Sequence, residues 1–348
     1  MHQTTSDSVL IVGGTGFIGS NLTSHFITNK SFASVTVLSR HASTHKTQVR
    51  GATYLNGDIT EEATLRRAIA SAKPSVIIHA ASPSSVIGTS TGYKSVNIRG
   101  TGNLLRAAKQ SEHVKAFIYT SSSTIAAGHQ HIDLTEDHPL ANEDPSVSAY
   151  TRSKAVADLR VLGANTPKPE HMESWSGSLL TACLRFPILY GTHDVTNRPD
   201  GQWVLGDGNN MWSFCSIQNM VTAHHLLASA LLDPSPWPEH MECHGEAFNI
   251  NDGEPLPYHS MAQKTEPNIV FQSVHIPGPV AVILAVVLEW VYFLFTLGLQ
   301  RPSTFSRQNV EYACYTHTYN IEKARMRLGY KPRVGCASRE KLDGFHMY

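Results

Sequence analysis

The side chains best suited to chemistry in this sequence are a tyrosine and a lysine four positions apart. Tyr150 and Lys154 are the first and last residues of the segment YTRSK, and on a helix this spacing places both on one face. A phenol is a poor base at neutral pH because its unperturbed pKa is about 10, but a neighbouring ammonium lowers that pKa. Tyr150 can then exchange a proton with an alcohol or a ketone. Surface helices with a solvated lysine share this spacing, so the pair needs support from other residues.

A serine near the end of an apolar segment supplies part of that support. The segment Ala116–Thr120 predicts a buried strand, and Ser122 follows it on the N-terminal side of Tyr150. Ser122 is expected to hold a substrate oxygen and to orient it towards Tyr150. The three side chains together predict the interconversion of a secondary alcohol and a ketone, a reaction that requires a hydride carrier.

A glycine-rich turn near the start of the chain predicts how that carrier is bound. Gly13, Gly16 and Gly19 follow the apolar segment Val9–Val12 and lead into the helical segment Ile18–Phe26. Glycines at this spacing permit a tight turn and let a pyrophosphate approach the N-terminus of the helix, where free N–H groups and the helix dipole meet it. A glycine motif between a strand and a helix is strong evidence for dinucleotide binding.

The end of the second predicted strand bears on the choice of dinucleotide. A carboxylate here would accept both ribose hydroxyls of NAD and repel the 2′-phosphate of NADP. The sequence instead has Ser39 and Arg40, and the planar fork of an arginine can pair with a phosphate. NADP(H) is therefore favoured, and NAD(H) is the alternative if Arg40 is only a solvated loop residue. Asp58, after the third strand, either accepts from the adenine amino group or forms a turn.

These residues must be positioned by alternating strands and helices. Short apolar segments rich in Val and Ile predict buried strands, and their alternation with helical segments is typical of an α/β fold with a parallel sheet. We predict a Rossmann-type doubly wound parallel sheet over residues 1–186 and a smaller C-terminal substrate lobe over residues 187–348. The predicted strands are Val9–Val12, Val35–Leu38, Val76–His79, Ala116–Thr120, Leu180–Phe186 and Ala247–Ile250, and the predicted helices are Ile18–Phe26, Glu61–Ser71, Val96–Gln110, Ala149–Leu162 and Asn219–Leu232.

Composition excludes several other classes of protein. The 348 residues include 28 Lys and Arg against 28 Asp and Glu, and this balance argues against nucleic-acid binding, which needs a basic surplus. The five cysteines form no CxxC pair, so neither a disulfide framework nor a zinc site is expected, and a reducing, cytosol-facing setting is the simplest interpretation. No metal site is predicted: the histidines at 129, 131, 138, 224 and 225 lack ligand spacing and are interpreted as loop and helix-surface residues.

One apolar segment, residues 280–298, stands apart from the rest of the chain. Glu289 is its only charged residue, and at about 1.5 Å per residue a helix of this length would only just cross a bilayer. Trp290 and Tyr292 beside the acid favour a helix that lies at a membrane interface over one that spans it. A buried lobe helix, or a lid over a hydrophobic substrate, is the alternative.

Several of these motifs, taken in order, resemble a known family. GGTGFIG, YTSSS and YTRSK are similar to the motifs of extended short-chain dehydrogenases/reductases. Further segments resemble the 3β-hydroxysteroid dehydrogenase/isomerase family, and within it the sterol-4α-carboxylate 3-dehydrogenase branch with its fungal secondary-metabolite relatives. These segments are HAAS at 79–82, VNIRGTGNLL at 96–105, LRFPILYG at 184–191, GEAFNINDGEPLPY at 245–258, EWVYFLFTLG at 289–298 and YNIEKARMRLGYKP at 319–332.

The resemblance implies a set of site residues. Ser122, Tyr150 and Lys154 match the catalytic triad of the family. The residues expected to contact the cofactor are Gly13, Thr15, Gly16, Phe17, Ile18, Gly19, Ser39, Arg40, Asp58, Ile59, Ala80, Tyr150, Lys154 and Pro187.

The resemblance also implies a substrate class, a location and partners. Family members act on hydroxyls or ketones of sterols and terpenoids, often at membranes. We therefore expect reaction at the C3 position of a steroid, triterpenoid or meroterpenoid-like molecule, contact with a membrane surface, association with the endoplasmic reticulum, and a homodimer as a further possibility. The direction of reaction is open, although NADP(H) favours ketone reduction.

The sequence departs from the family in four respects. Ser39 replaces an acidic residue, and Phe186 stands where proline usually follows the arginine. The intervals 190–206 and 258–275 are each short by about a helix, and the tail after Val334 does not resemble the usual terminal helix. The last two departures fall in the substrate lobe, so they affect the expected substrate more than the expected cofactor.

Two other functions remain open at this point. A nucleotide-sugar epimerase or dehydratase would share the glycine turn and the triad, but its substrate needs cationic groups for a pyrophosphate, and the apolar segment argues against it. A catalytically degenerate dinucleotide-binding protein would agree with the short lobe, but it would not need all three of Ser122, Tyr150 and Lys154.

Overall fold

A computed structural model describes most of the chain. The described residues are 6–46, 48–85, 88–191, 203–206, 208–233, 235, 237–238, 240–260, 274–296 and 307–333. The predictions made for the tail after Val334, and for most of the intervals 190–206 and 258–275, lie outside these residues.

Seven parallel strands form the central sheet, in the order β12-β7-β5-β4-β1-β2-β3. Their segments are rich in branched apolar residues, and four of the seven consist almost entirely of buried residues, as expected of strands covered on both faces. The strands are β1 (Ser8–Val12), β2 (Ser34–Ser39), β3 (Thr53–Asn56), β4 (Val76–His79), β5 (Ala116–Ser122), β7 (Leu180–Phe186) and β12 (Glu246–Asn249).

Helices cover both faces of this sheet, each with its own apolar core. On one face Leu22 and Phe26 pack with Met220 and Leu227, and on the other Leu65, Leu104 and Val161 form the core. The helices are α1 (Phe17–Thr28), α2 (Glu62–Ala72), α3 (Ser90–Tyr93), α4 (Thr101–Lys109), α5 (Ala149–Gly163) and α6 (Ile217–Leu232). The predicted Rossmann-type doubly wound sheet is thereby confirmed.

A π-helical stretch, Lys94–Gly100, joins α3 to α4, where the sequence predicted one continuous helix over Val96–Gln110. π-helical turns are rare and occur mostly at functional sites. Asn97 lies on this stretch and is buried.

The strand β12 qualifies the predicted division at residue 186. It pairs in parallel with β7, from Glu246 opposite Ala182 to Asn249 opposite Arg185, so a segment from the second half of the chain completes the main sheet. The division itself stays a prediction.

The rest of the second half forms small sheets and helices beside the main sheet. The sheets have the orders β13-β10-β15-β6, β11-β8 and β14-β9. Their strands are β6 (His131–Leu134), β8 (Ile188–Tyr190), β9 (Trp203–Leu205), β10 (Met211–Trp212), β11 (Phe214–Ser216), β13 (Leu256–Pro257), β14 (Val274–Ile276) and β15 (His317–Tyr319). The helices are α7 (Gly278–Thr296), α8 (Arg307–Ala313) and α9 (Glu322–Leu328).

Helix α7 contains the described part of the apolar segment. Ala281 and Ala285, one turn apart, are buried against Val310 of α8, while most of its larger apolar side chains are exposed. By length and composition α7 is the one described helix that could cross a membrane. Its acid, Glu289, accepts a hydrogen bond from the backbone N–H of Arg307 at 2.9 Å, and this bond ties α7 to the first residue of α8.

Candidate active site

At Gly13 and Gly19 the turn between β1 and α1 leaves room only for glycine. Gly13 has φ +86°, and a Cβ there would lie 2.7 Å from the Cα of Ala81. Its N–H donates to the carbonyl of Leu38 at 2.8 Å, which fixes the turn against β2. A Cβ at Gly19 would collide with the carbonyl oxygen of Gly13. The backbone is therefore packed as closely as a phosphate-binding turn requires.

The N-terminus of α1 has the electrostatics of an anion site. Gly16 is its N-cap and supplies no side-chain hydrogen bond, and the first turn, which includes Phe17 and Ile18, contains no acidic residue. The free N–H groups and the positive end of the helix dipole are thus available to an anion. The residues present fit the pyrophosphate of a dinucleotide.

The residues expected near the ribose lie at the ends of neighbouring strands. The hydroxyls of Thr15 and Ser39 are hydrogen-bonded at 2.8 Å, so Ser39 joins β2 to the glycine turn. Arg40 is exposed, and its guanidinium makes no hydrogen bond or ion pair with another described residue.

Asp58 forms the turn that the sequence analysis left as one of two alternatives. Its Oδ1 accepts hydrogen bonds from the N–H and the hydroxyl of Thr60 at 2.8 and 2.7 Å. Its Oδ2 has no partner among the described residues, so the carboxylate can still accept from another donor. The structure therefore leaves both roles open to it.

The remaining expected cofactor contacts follow the carboxyl ends of the strands. Ile59 is buried beneath Gly100, Ala80 donates to the carbonyl of Val12 at 2.9 Å, and Pro187 follows β7 directly. Ligands of doubly wound sheets bind at this edge. The contacts with a cofactor stay predictions.

Helix α5 carries two of the three predicted catalytic groups. Its N-cap is Ser148, whose hydroxyl accepts from the N–H of Thr151 at 3.0 Å, so Tyr150 lies in the first turn and Lys154 one turn later. The ring of Tyr150 packs edge-to-face against Tyr93, with centroids 5.5 Å apart. Burial raises the pKa of Tyr150 to about 12, and the nearby hydroxyl of Ser122 opposes this rise.

Lys154 is held beneath the site by groups of β5. Its Nζ donates to the carbonyl of Thr120 at 2.6 Å and lies 4.0 Å from the ring centroid of Tyr119. Burial lowers the pKa of Lys154 to about 7, and the neighbouring Asp158 opposes this shift. An ammonium has three donors, and two of these have no partner among the described residues, so they remain for a cofactor or for Tyr150.

Ser122 completes the predicted group at the end of β5. Its Oγ accepts from the N–H of Thr124 at 3.3 Å and is hydrogen-bonded to the hydroxyl of Thr124 at 2.9 Å. The nearby hydroxyl of Ser122 lowers the pKa of Tyr150, so the end of β5 and the first turn of α5 bring these two side chains near each other. Sequence reasoning missed Thr124, whose signal was its position two residues after Ser122.

A buried ion pair lies behind Lys154, and sequence reasoning missed it as well. Asp158 is one turn beyond Lys154 on α5, and its carboxylate receives two hydrogen bonds, at 2.8 and 3.2 Å, from the guanidinium of Arg185 on β7. Asp158 is 0% exposed. Arg185 also donates to the carbonyl of Glu136 at 2.8 Å. The pair keeps a compensated negative charge near Lys154.

Two histidines that were interpreted as surface or loop residues are buried, so that interpretation was wrong for both. His224 on α6 is hydrogen-bonded to the hydroxyl of Thr120 at 2.9 Å and stacks on Phe186 with ring centroids 5.3 Å apart. His131 on β6 meets His317 of β15 at 3.0 Å between their Nδ1 atoms. Apolar surroundings lower the pKa of His224 to about 4 and that of His317 to about 3.

Asn97 contributes an unpaired acceptor near the site. Its Nδ2 donates to the hydroxyl of Ser153 on α5 at 2.9 Å, but its buried Oδ1 has no hydrogen-bond partner. Within the described ranges, no group of three His, Cys, Asp or Glu residues could hold a metal ion.

Comparison with known proteins agrees with this geometry. A profile of the 3-beta hydroxysteroid dehydrogenase/isomerase family matches residues 10–266. The chain belongs to this family. It is an oxidoreductase of the short-chain dehydrogenase/reductase type, and the dehydrogenase family supports a nicotinamide cofactor.

Relatives and solved structures support the same assignment. The sterol-4-alpha-carboxylate 3-dehydrogenase (decarboxylating) of Candida albicans is 29% identical, in an alignment that covers 94% of this chain and 93% of that protein. The human protein of the same name is 27% identical, with coverages of 96% and 86%. WbmG from Bordetella bronchiseptica, solved with NAD, has a TM-score of 0.66 at 16% identity, with coverages of 96% and 91%. This last likeness establishes the fold alone.

Proposed function

We propose that the protein interconverts a C3 hydroxyl and a C3 ketone on a rigid, hydrophobic substrate of sterol or terpenoid type. The observation that carries the proposal is the arrangement of three side chains: Ser122 at the end of β5, Tyr150 in the first turn of α5, and the buried Lys154, whose Nζ donates to the carbonyl of Thr120 on β5. The names of the similar sterol dehydrogenases support the sterol class and the direction of oxidation.

Each of the three side chains has a separate role in this reaction. When bound, a nicotinamide dinucleotide supplies the hydride acceptor for oxidation or the hydride donor for reduction. Ser122 donates a hydrogen bond to the substrate oxygen and orients it. Tyr150 takes the proton of the C3 hydroxyl in oxidation and returns it in reduction. Lys154 in its charged form favours the phenolate of Tyr150.

The pKa values assign a starting state to these groups. Tyr150, with its pKa raised to about 12, is protonated at neutral pH, and burial lowers the pKa of Lys154 to about 7, which weakens its hold on a proton. The free site is thus ready to donate a proton. Oxidation requires added positive charge near the phenol to lower its pKa, and an oxidised nicotinamide carries such a charge.

A carboxylate on C4 of the substrate would extend the reaction. Oxidation at C3 converts such a molecule into a β-keto acid, which loses carbon dioxide through its own chemistry. The C4 carboxylate leaves as carbon dioxide and the electron pair of the broken bond remains as the enolate of the C3 ketone, which is then protonated. The relatives are named as decarboxylating enzymes, and we propose the same outcome here.

We further propose that NADP(H) binds more tightly than NAD(H). Arg40 is exposed next to Ser39 and has no described partner, so its guanidinium can pair with a 2′-phosphate. Titration of the purified protein with NADPH and NADH, followed by nicotinamide fluorescence, tests this. We expect NADPH to bind about tenfold more tightly, or ~1.4 kcal/mol, and Arg40→Ser to remove the difference. Equal binding by the unaltered protein would contradict the proposal.

We propose that α7 brings the protein to the cytosolic surface of the endoplasmic reticulum. Its exposed apolar side chains include Trp290 at 62% and Phe295 at 86% exposure, and such a face is costly in water and favourable at a lipid interface. Flotation with phosphatidylcholine vesicles tests the contact. Protein that stays with the soluble fraction at every lipid concentration would contradict it.

The reaction itself is tested with sterols and with nucleotide sugars. The protein, kept in detergent, is incubated with NADP⁺ or NAD⁺ and a 3β-hydroxysterol with or without a 4α-carboxylate, and products are identified by mass spectrometry. We expect the 3-ketone, with one carbon dioxide released per reduced cofactor from the carboxylated sterol. Turnover of UDP- or GDP-sugars without turnover of sterols would support an epimerase or dehydratase instead.

A further inference from the structure

The environment of Ser122 points to a further residue that acts in the site. Its hydroxyl has one hydrogen to donate and two lone pairs to accept with. The N–H of Thr124 occupies one lone pair at 3.3 Å. The hydroxyl of Thr124 lies 2.9 Å from the same oxygen and has no other partner among the described residues. The orientation of the serine hydrogen therefore depends on which of the two hydroxyls donates.

Only one of the two arrangements leaves Ser122 able to work on a substrate. If Ser122 donates to Thr124, its single hydrogen is used inside the turn and none remains for a substrate oxygen. If Thr124 donates to Ser122, both lone pairs of Ser122 are filled and its hydrogen must point away from the turn. Tyr150 is a neighbour of Ser122 outside that turn, since the serine hydroxyl is near enough to lower its pKa.

We infer that Thr124 is a positioning residue whose hydroxyl donates to Ser122 and holds the serine hydrogen towards the substrate oxygen. The inference rests on the proposed alcohol–ketone reaction and adds a fourth side chain to its machinery. Thr124 does not touch the reacting atoms; it acts through Ser122. Its side chain is partly buried at the start of the turn after β5, so the backbone fixes the distance between the two hydroxyls.

Two variants of Thr124 distinguish the effect of losing its hydroxyl from the effect of changing its side-chain shape. Thr124→Val keeps the branched shape and removes the donor, and Thr124→Ser keeps the donor and removes a methyl group. Removing one positioning hydrogen bond is worth up to about 1.4 kcal/mol, or tenfold in rate. We expect Thr124→Val to lower kcat about tenfold with KM changed less than twofold, and Thr124→Ser to remain within twofold of the unaltered protein. Thr222→Val, which loses only a bond within α6, is the matched control.

A double-variant cycle with Ser122→Ala tests whether Thr124 acts through the serine. In the Ser122→Ala background, Thr124→Val should lower kcat by less than a further twofold, because the group that it positions is gone. An equal loss in both backgrounds would overturn the inference, and so would a Thr124→Val protein with unchanged kcat. Cofactor binding, followed by fluorescence, checks that each variant folds, and Thr124→Ala replaces Thr124→Val if that protein does not.

The activity of the unaltered protein in the same assay distinguishes a failure of the proposed function from a failure of the role proposed for Thr124. Absence of turnover with every secondary alcohol and ketone would overturn the proposed function and the role of Thr124 with it. Normal turnover that Thr124→Val leaves unchanged would overturn the role of Thr124 alone.

Discussion

Helix α5 places charged side chains in the interior of the protein, whereas helix α7 places apolar side chains on its surface. Lys154 and Asp158 of α5 are 3% and 0% exposed, while Leu294 and Phe295 of α7 are 69% and 86% exposed. Both helices depart from the usual distribution, in which charged residues lie outside and large apolar residues inside. The two departures differ in one respect. The buried charged groups of α5 have hydrogen-bond and ion-pair partners, whereas most of the apolar face of α7 packs against no other described residue.

The comparison shows two places where the fold has an unfavourable free-energy term: a buried charged group on α5 and an exposed apolar surface on α7. The buried lysine of α5 is compensated by Thr120, by the ring of Tyr119 and by the nearby ion pair of Asp158 with Arg185. These contacts also hold Lys154 in one position, which the proposed reaction requires. The exposed face of α7 has no such internal compensation within the described ranges, and a lipid interface would supply it from outside.

The largest effect is expected on α5, where the proposed reaction transfers its proton through the single oxygen of Tyr150. Tyr150→Phe removes that oxygen and keeps the ring, which packs against Tyr93. We expect kcat to fall by about 10²–10⁴-fold, the usual contribution of a positioned acid–base group, with cofactor binding changed less than threefold. Steady-state kinetics and fluorescence titration check this. Retention of more than a tenth of the activity would remove Tyr150 from the proton transfer.

The ion pair on α5 is expected to matter more for stability than a surface pair. Asp158→Ala leaves the guanidinium of Arg185 buried without its partner, and such a loss costs about 3–5 kcal/mol of unfolding free energy. Glu322→Gln breaks the exposed pair with Arg325 and should cost less than about 1 kcal/mol. Urea denaturation of both variants measures the difference. Equal costs would mean that the buried pair is not the support that α5 requires.

On α7 the expected effect falls on membrane binding rather than on stability. Leu294→Lys removes one apolar side chain from the exposed face and should weaken vesicle binding about tenfold, with unfolding free energy changed by less than about 0.5 kcal/mol. Met326→Lys is the matched control, because Met326 is 66% exposed but lies on α9. If both variants bind vesicles equally, the face of α7 is not the contact.

A further expected effect is a pH dependence of stability that comes from Lys154. Its pKa is lowered from 10.5 to about 7 in the folded protein, so between these values the unfolded chain binds more protons than the folded one. Stability should therefore rise as pH increases above about 7. Lys154→Met should flatten the rise between pH 7 and 8.5, measured by urea midpoints. A rise that persists in Lys154→Met would assign it to other groups.

Local signals in the sequence were sufficient for the parts of the site that depend on neighbouring residues. The glycines between β1 and α1 predicted the turn because its backbone allows no Cβ at Gly13 or Gly19. The spacing of Tyr150 and Lys154 predicted their shared helix, and the predicted bounds of β4 and β7 agree with the structure. These features require only chain geometry and hydrophobic periodicity.

Features that depend on distant partners were not predicted. His131 is buried because His317 and Tyr319 meet it from the far end of the chain. Asp158 is buried because Arg185 reaches it from a neighbouring strand. A histidine or an aspartate on a helix or in a loop is usually exposed, and no pattern within its own segment indicates that a partner will arrive from elsewhere.

The strand β12 has a consequence for the order in which the chain folds. It is hydrogen-bonded to β7 along its full length, and all of the chain between them must be synthesised before the pair can form. Until then β7 is a terminal strand with unpaired backbone groups, the kind of edge that other chains can add to. Long-range parallel pairing is also slow to form. A nascent chain that ends before residue 246 would therefore carry a nearly complete catalytic site on an open sheet, and its greatest risk would be aggregation through that edge.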